Sequence, residues 1–151
     1  VALKELLMND MKAALLGGNR FEGEVLRGLK AAILNEEVAT NKRDEGLADA
    51  EIEKVIAREI KKRRESAKLY RDNGRDDLAE PEEQEAAVLE KYLPEQMGED
   101  EIRTLVQNAI KTLGASGPQA MGQVIGAVKA QAGNSADGAT IAAIVKQELQ
   151  T

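Results

Sequence analysis

An all-α fold is predicted by three observations. Apolar residues recur at three- and four-residue steps in every periodic segment, no stretch alternates apolar and polar residues for the length of a strand, and Gly, Asn or Pro marks where the runs stop. The first run, Leu3, Leu6, Leu7, Met11, Ala14 and Leu15, halts at Gly17-Gly18. A second, Val25, Leu26, Leu29, Ala32 and Ile33, fades at Thr40-Asn41-Lys42. The third is the longest, running through Ile52, Val55, Ile56, Ile60, Ala67 and Tyr70, with Asp49 as its expected N-cap and Asn73-Gly74 as its end. A fourth is expected to start with Pro81 in its first turn, followed by Glu82 and Glu83 where the helix dipole favours acids, and to stop before Pro94.

Composition shifts at Leu93-Pro94. Of the 21 Lys+Arg and 27 Asp+Glu, 17 and 21 fall in residues 1–94, and the remainder of the chain has no aromatic residue. The expected organisation is therefore an N-terminal helical hairpin region of about four helices, 1–94, and a C-terminal three-helix bundle, 95–151. In the second part Ile102, Leu105, Val106, Ala109, Ile110 and Leu113 follow the acidic turn Glu99-Asp100-Glu101, and Gly114 closes that helix. Pro118 opens the next helix and Gly133 ends it. Asp137 caps the last, whose stripe is Ile141, Ile144, Val145 and Leu149.

With 151 residues, a net charge of −6, two Tyr, one Phe, and no Cys, His or Trp, the chain lacks whole classes of chemistry. It has no Ser–His or Cys–His nucleophile pair, no thiolate, no His-ligated zinc and no disulfide. Phe21, Tyr70 and Tyr92 are too few for base stacking to dominate single-strand binding. No Walker lysine accompanies Gly114-Ala-Ser-Gly117, and the acids Asp76, Asp77, Glu80, Glu82, Glu83 and Glu85 lack the spacing of a calcium loop. No metal and no cofactor is expected. No run of eighteen apolar residues occurs and no basic stretch leads into an apolar one, so the expectation is a soluble, cytoplasmic protein without a membrane partner.

Wheel arithmetic at about 100° per residue puts two charges on apolar faces. Glu36 falls within the stripe of Val25, Leu29 and Ala32, and Arg63 falls between Ile56, Ala67 and Tyr70. A charge held there needs a partner, and the expectation is a structural Glu36–Arg63 ion pair, with Glu59 and Glu85 as competing partners. A carboxylate enzyme built on Glu36 or Glu85 with Arg63 is the catalytic counterpart of this reading. Around Arg63 lies a basic face, Lys54, Arg58, Lys61, Lys62, Arg64, Lys68, Arg71 and Arg75, facing only Glu59, Glu65 and Asp72 in the same segment. Such a face either meets phosphates or is balanced by acids of neighbouring helices. Gly122, Gly126 and Ala130 place small residues four apart on one helical strip. That strip either receives a second helix closely or lets an RNA backbone approach bare peptide groups.

Several segments occur in an order that resembles a known family. They are Leu26-Arg27-Gly28-Leu29-Lys30-Ala31-Ala32-Ile33 with Asn35-Glu36, Arg58-Glu59-Ile60-Lys61-Lys62-Arg63, and Tyr92-Leu93-Pro94-Glu95-Gln96-Met97. Met121-Gly122-Gln-Val-Ile-Gly126, Ala136-Asp137-Gly138 and Val145-Lys146-Gln147-Glu148-Leu149 complete the series. Together they resemble the YqeY-like proteins, relatives of the tail domain of the GatB subunit of glutamine-dependent tRNA amidotransferase. The resemblance implies an all-helical, non-catalytic accessory protein that grips tRNA by shape and backbone. Gly122, Gly126, Lys129 and Asn134 would face the RNA, and Lys61, Lys62, Arg64, Lys68 and Arg71 would steer it. A carbon–nitrogen ligase label with glutamine as donor would describe the larger enzyme. The alternative is a protein–protein adaptor docking on an aminoacyl-tRNA synthetase or amidotransferase.

Overall fold

The computed structural model describes residues 2–150, which form seven α-helices and no strand. The chain divides into two compact units, Val1–Leu93 and Pro94–Thr151. The first holds α1 (Ala2–Leu16), α2 (Arg20–Ala39), α3 (Asp49–Asp72) and α4 (Asp76–Glu90). The second holds α5 (Glu99–Leu113), α6 (Met121–Ala132) and α7 (Gly138–Leu149), with single 3-10 turns at Pro118–Ala120 and Gly133–Ser135. Each unit has its own apolar core.

In the first unit the core is built from Val25, Leu29 and Ile33 of α2, Ile52, Val55 and Ile56 of α3, and Ala86 and Leu89 of α4. Leu47 plugs it from the α2–α3 loop and is fully buried. The α3–α4 pair is an antiparallel hairpin turned at Asn73-Gly74. Two helix starts differ from expectation. Asp49 is the first residue of α3 and Ala48 its cap. Asp49 Oδ1 instead accepts the backbone N–H of Leu3 at 3.2 Å, while Glu51 Oε1 takes the Ala48 N–H at 3.1 Å. The fourth helix begins at Asp76, so Pro81 lies inside it. Asp76 and Asp77 in the first turn favour this earlier start through the helix dipole.

In the second unit Ile102 and Val106 of α5, Val124 and Val128 of α6, and Ile141, Ile144 and Val145 of α7 close a three-helix core. Asp137 caps α7, its Oδ2 accepting the Thr140 N–H at 3.1 Å. Arg103 ties α5 to α7 through Glu148 Oε2 at 3.6 Å and Gln147 Oε1 at 3.1 Å. The Tyr-Leu-Pro-Glu-Gln segment makes bonds on both sides of the boundary. Tyr92 O–H donates to Asp10 Oδ2 at 2.6 Å within the first unit. Gln96 Nε2 donates to the carbonyls of Pro94 at 2.9 Å and Asn134 at 3.0 Å within the second. The Met97 N–H adds a 2.8 Å bond to the Ser135 carbonyl.

Candidate nucleic-acid interface

The predicted Glu36–Arg63 pair does not form. Arg63 donates from Nη1 to Glu59 Oε1 at 3.1 Å and to the Glu59 carbonyl at 3.0 Å, and its Nε lies 3.7 Å from Glu85 Oε1. Glu36 Oε2 instead accepts from Arg58 Nη2 at 2.9 Å. The reason is the hairpin. Arg63 points from α3 toward α4, so the carboxylates within its reach are the one a turn back on its own helix and the one facing it. The side chain keeps 16% of its exposure, which agrees with its place on the apolar face. Burial opposes ionisation of Glu59, and the hydrogen bonds from Lys62 and Arg63 outweigh it, so the carboxyl sits below its ordinary range. Glu36 and Arg63 serve separate pairs, which leaves no joint Glu36–Arg63 centre.

The basic face is largely neutralised. Arg64 pairs with Glu90, and Arg71 with Glu83 and with Asp76. Lys62 Nζ is 3.1 Å from Glu59 Oε2, and Arg75 closes on Asp77. The Glu83 carboxyl is held low by the Arg71 hydrogen bond. Of the five residues expected to steer RNA, only Lys61 and Lys68 make no ion pair among the described residues. Both are exposed and stand seven apart on α3, hence on one strip. Lys62, Arg64 and Arg71 are tied to carboxylates, so their long-range field is weakened at its source.

On α6 the geometry departs from the helix-packing alternative. A Cβ added at Gly122 or Gly126 would meet nothing within 4 Å. Val124 and Val128 face the core, which turns the glycine strip outward. Lys129, which is exposed, makes no ion pair among the described residues. Its side chain lies along Gly138 at the start of α7, where an added Cβ would come 3.3 Å from Lys129 Cε and 3.4 Å from Nζ. Asn134 is half-buried in the loop that Gln96 holds. Gly122, Gly126, Lys129 and Asn134 thus belong to the second unit, and the lysines of α3 to the first.

Sequence reasoning missed Glu37, the one buried charged residue among those described, at 2% exposure. Its Oε2 receives Lys4 Nζ at 2.8 Å and the Leu47 N–H at 3.2 Å. The stripe Leu26, Ile33 and Glu37 is the signal that would have found it. This stripe runs beside the Val25–Leu29–Ala32 edge and is buried because α2 packs against α1 as well as against α3 and α4. The Lys4 hydrogen bond pulls the Glu37 carboxyl below its ordinary range, burial opposes it, and the Leu47 N–H adds to the pull. With the folded pKa below an unfolded value of about 4.3, this contribution is complete above the unfolded pKa and disappears as pH falls through the folded one. Glu37→Gln is therefore expected to flatten the acid limb of thermal melts below about pH 5, as followed by circular dichroism.

Among the described residues no group of three or more acids could hold a metal ion, and no helix is long and apolar enough to cross a membrane. Fold and surface define a two-unit, all-helical protein whose candidate functional side chains stand on outward faces of α3 and α6. The chain belongs to the YqeY-like family, whose profile, described as Yqey-like protein, matches residues 4–149. It is similar to proteins named "Altered inheritance of mitochondria protein 41, mitochondrial". The one from Clavispora lusitaniae is 34% identical over 94 residues, covering 61% of this chain and 52% of that protein. The one from Meyerozyma guilliermondii is 33% identical over 87 residues, covering 58% and 44%. The one from Pyrenophora tritici-repentis is 30% identical over 134 residues, covering 85% and 72%. The chain thus spans about half the length of the first two relatives. Neither the family description nor these names states a catalytic activity. The names do overturn the cytoplasmic expectation, since these relatives are called mitochondrial. Absent cysteines exclude dependence on disulfides and do not choose among compartments.

Proposed function

We propose that this protein is a non-catalytic, tRNA-associated accessory factor that holds folded RNA against the outer face of α6. The observation that carries this reading is the open space above Gly122 and Gly126. Glycine inside a helix costs about 1 kcal/mol relative to alanine, and here no neighbouring helix uses the clearance. A ribose–phosphate backbone is a partner that benefits from it, approaching the peptide groups with Lys129 alongside. Recognition by shape also suits a chain so poor in aromatic residues. Lys61 and Lys68 contribute attraction from the first unit.

The test is fluorescence anisotropy of labelled tRNA across a salt series. Binding is expected to weaken as salt rises. Lys61→Glu with Lys68→Glu is expected to reduce the magnitude of the log–log salt slope by roughly 1.5–2, since each phosphate left unneutralised keeps somewhat under one counterion. Gly122→Ala with Gly126→Ala separates stability from binding. The variant is expected to melt higher, by about 0.5–1 kcal/mol per site, while its affinity falls. A flat wild-type titration at tens of micromolar protein defeats the proposal, and so does unchanged affinity in the alanine pair.

The adaptor reading has its own observation. Arg64 and Arg71 are neutralised within the hairpin, and Leu69, on another side of α3, is 64% exposed, which suits a protein surface better than a phosphate backbone. Affinity purification distinguishes the two, because RNase releases RNA-bridged partners and leaves direct protein partners bound.

A further inference from the structure

The N-terminal helix is held differently from the rest of its unit. It buries one side chain, Leu7, whereas α2 buries six residues, α3 five and α4 four. Leu3 and Met11 pack only partly against the core. The remaining attachments are Leu15, whose side chain is seated over the buried Gly23 of α2, and polar ties to three other parts of the unit. The Leu3 N–H donates to Asp49 of α3 at 3.2 Å, Lys4 pairs with Glu37 of α2 at 2.8 Å, and Asp10 accepts from Tyr92 beyond α4 at 2.6 Å. The Leu3 and Asp10 bonds lie at partly exposed sites and exchange for water, so each adds little to what holds the helix down, whereas the Lys4 bond to the buried Glu37 is the stronger tie.

The connection to α2 is built to turn. Gly18 has φ +85°, and a Cβ at Gly17 would stand 2.8 Å from the Ala13 carbonyl oxygen, so both positions want glycine. Asn19 then restarts the chain as the α2 cap, its Oδ1 accepting the Glu22 N–H at 3.3 Å. Folding of α2 therefore does not depend on α1 continuing into it. The core shared by α2, α3 and α4 takes the single buried side chain Leu7 from α1 and is otherwise made of their own residues together with Leu47.

We propose that α1 is a hinged cover that opens as a unit about Gly17-Gly18 while α2, α3 and α4 stay folded. Opening uncovers the apolar surface of α2 and α3 now beneath Leu3, Leu7 and Met11, and it frees Tyr92 from its carboxylate. The device is independent of whether the protein binds RNA. Elements that open with low free energy have few buried apolar contacts, and α1 fits that description where its neighbours do not.

Hydrogen exchange followed by mass spectrometry on the full chain tests it. The wild-type α1 amides are expected to exchange at least tenfold faster than the core amides of α3. Tyr92→Phe and Asp10→Ala each remove the polar tie between α1 and the segment after α4 without stranding a buried charge. Each is expected to raise α1 exchange severalfold and to leave α3 exchange unchanged. Equal protection of α1 and α3 in the wild type would overturn the proposal. So would variants that accelerate both helices by the same factor, because α1 would then open only with global unfolding.

Discussion

Ile141→Asp is expected to unfold the second unit while the first keeps its structure. Ile141 is fully buried among Val106, Val124, Val128, Ile144 and Val145. A carboxylate placed there has no cation within that core, and an unpaired buried charge costs several kcal/mol. A unit of this size buries too small a fraction of its surface to absorb such a loss, since whole domains have only about 5–15 kcal/mol in hand. The first unit has a separate apolar core that shares no residue with the second. An amide correlation spectrum should therefore lose dispersion for residues of α5, α6 and α7 and retain it for α2, α3 and α4. Collapse of every resonance would mean that the two cores fold as one.

Arg63→Met is expected to destabilise the first unit by about 2–3 kcal/mol, somewhat below the roughly 3–5 kcal/mol of a fully buried pair because the site keeps partial solvent access. Methionine preserves the aliphatic packing, so the loss isolates the charge. Glu59 and Glu85, at 15% and 29% side-chain exposure, would face each other without the guanidinium between them. Arg58→Ala removes the partner of Glu36 at a far more exposed site, 57% for the arginine, and is expected to cost less than about 1 kcal/mol. Urea denaturation of the two variants gives the comparison. Equal losses would place Arg63 outside the structural network assigned to it.

The helices were largely legible in the sequence because their signals are local. Gly17-Gly18, Asn73-Gly74, Gly114 and Asp137 lie where helices stop or start in the structure. The start of α4 was not, because Pro81 resembles a first-turn residue and the competing signal, Asp76-Asp77, is equally consistent with a loop. Arg63 was correctly placed on an apolar face, yet its partner depended on which helix lies opposite, which a wheel for one helix does not contain. The same omission left the basic face open between phosphate contact and balance by acids of neighbouring helices. Arg71 and Glu83, like Arg64 and Glu90, are placed symmetrically about Asp77, so folding the hairpin brings them together. Glu37 escaped because α2 is covered on two sides and only one edge of its buried arc was traced. For the α6 glycines the sequence left helix packing or an open strip, and only the position of the neighbours decides between them.

The Gln96 side chain bridges two carbonyls, one at Pro94 and one at Asn134, and the Met97 N–H fastens the next residue to Ser135. The turn between α6 and α7 and the stretch of backbone entering the second unit are therefore laced together by one side-chain and one backbone hydrogen bond, so that Asn134 is positioned by residues that precede α5.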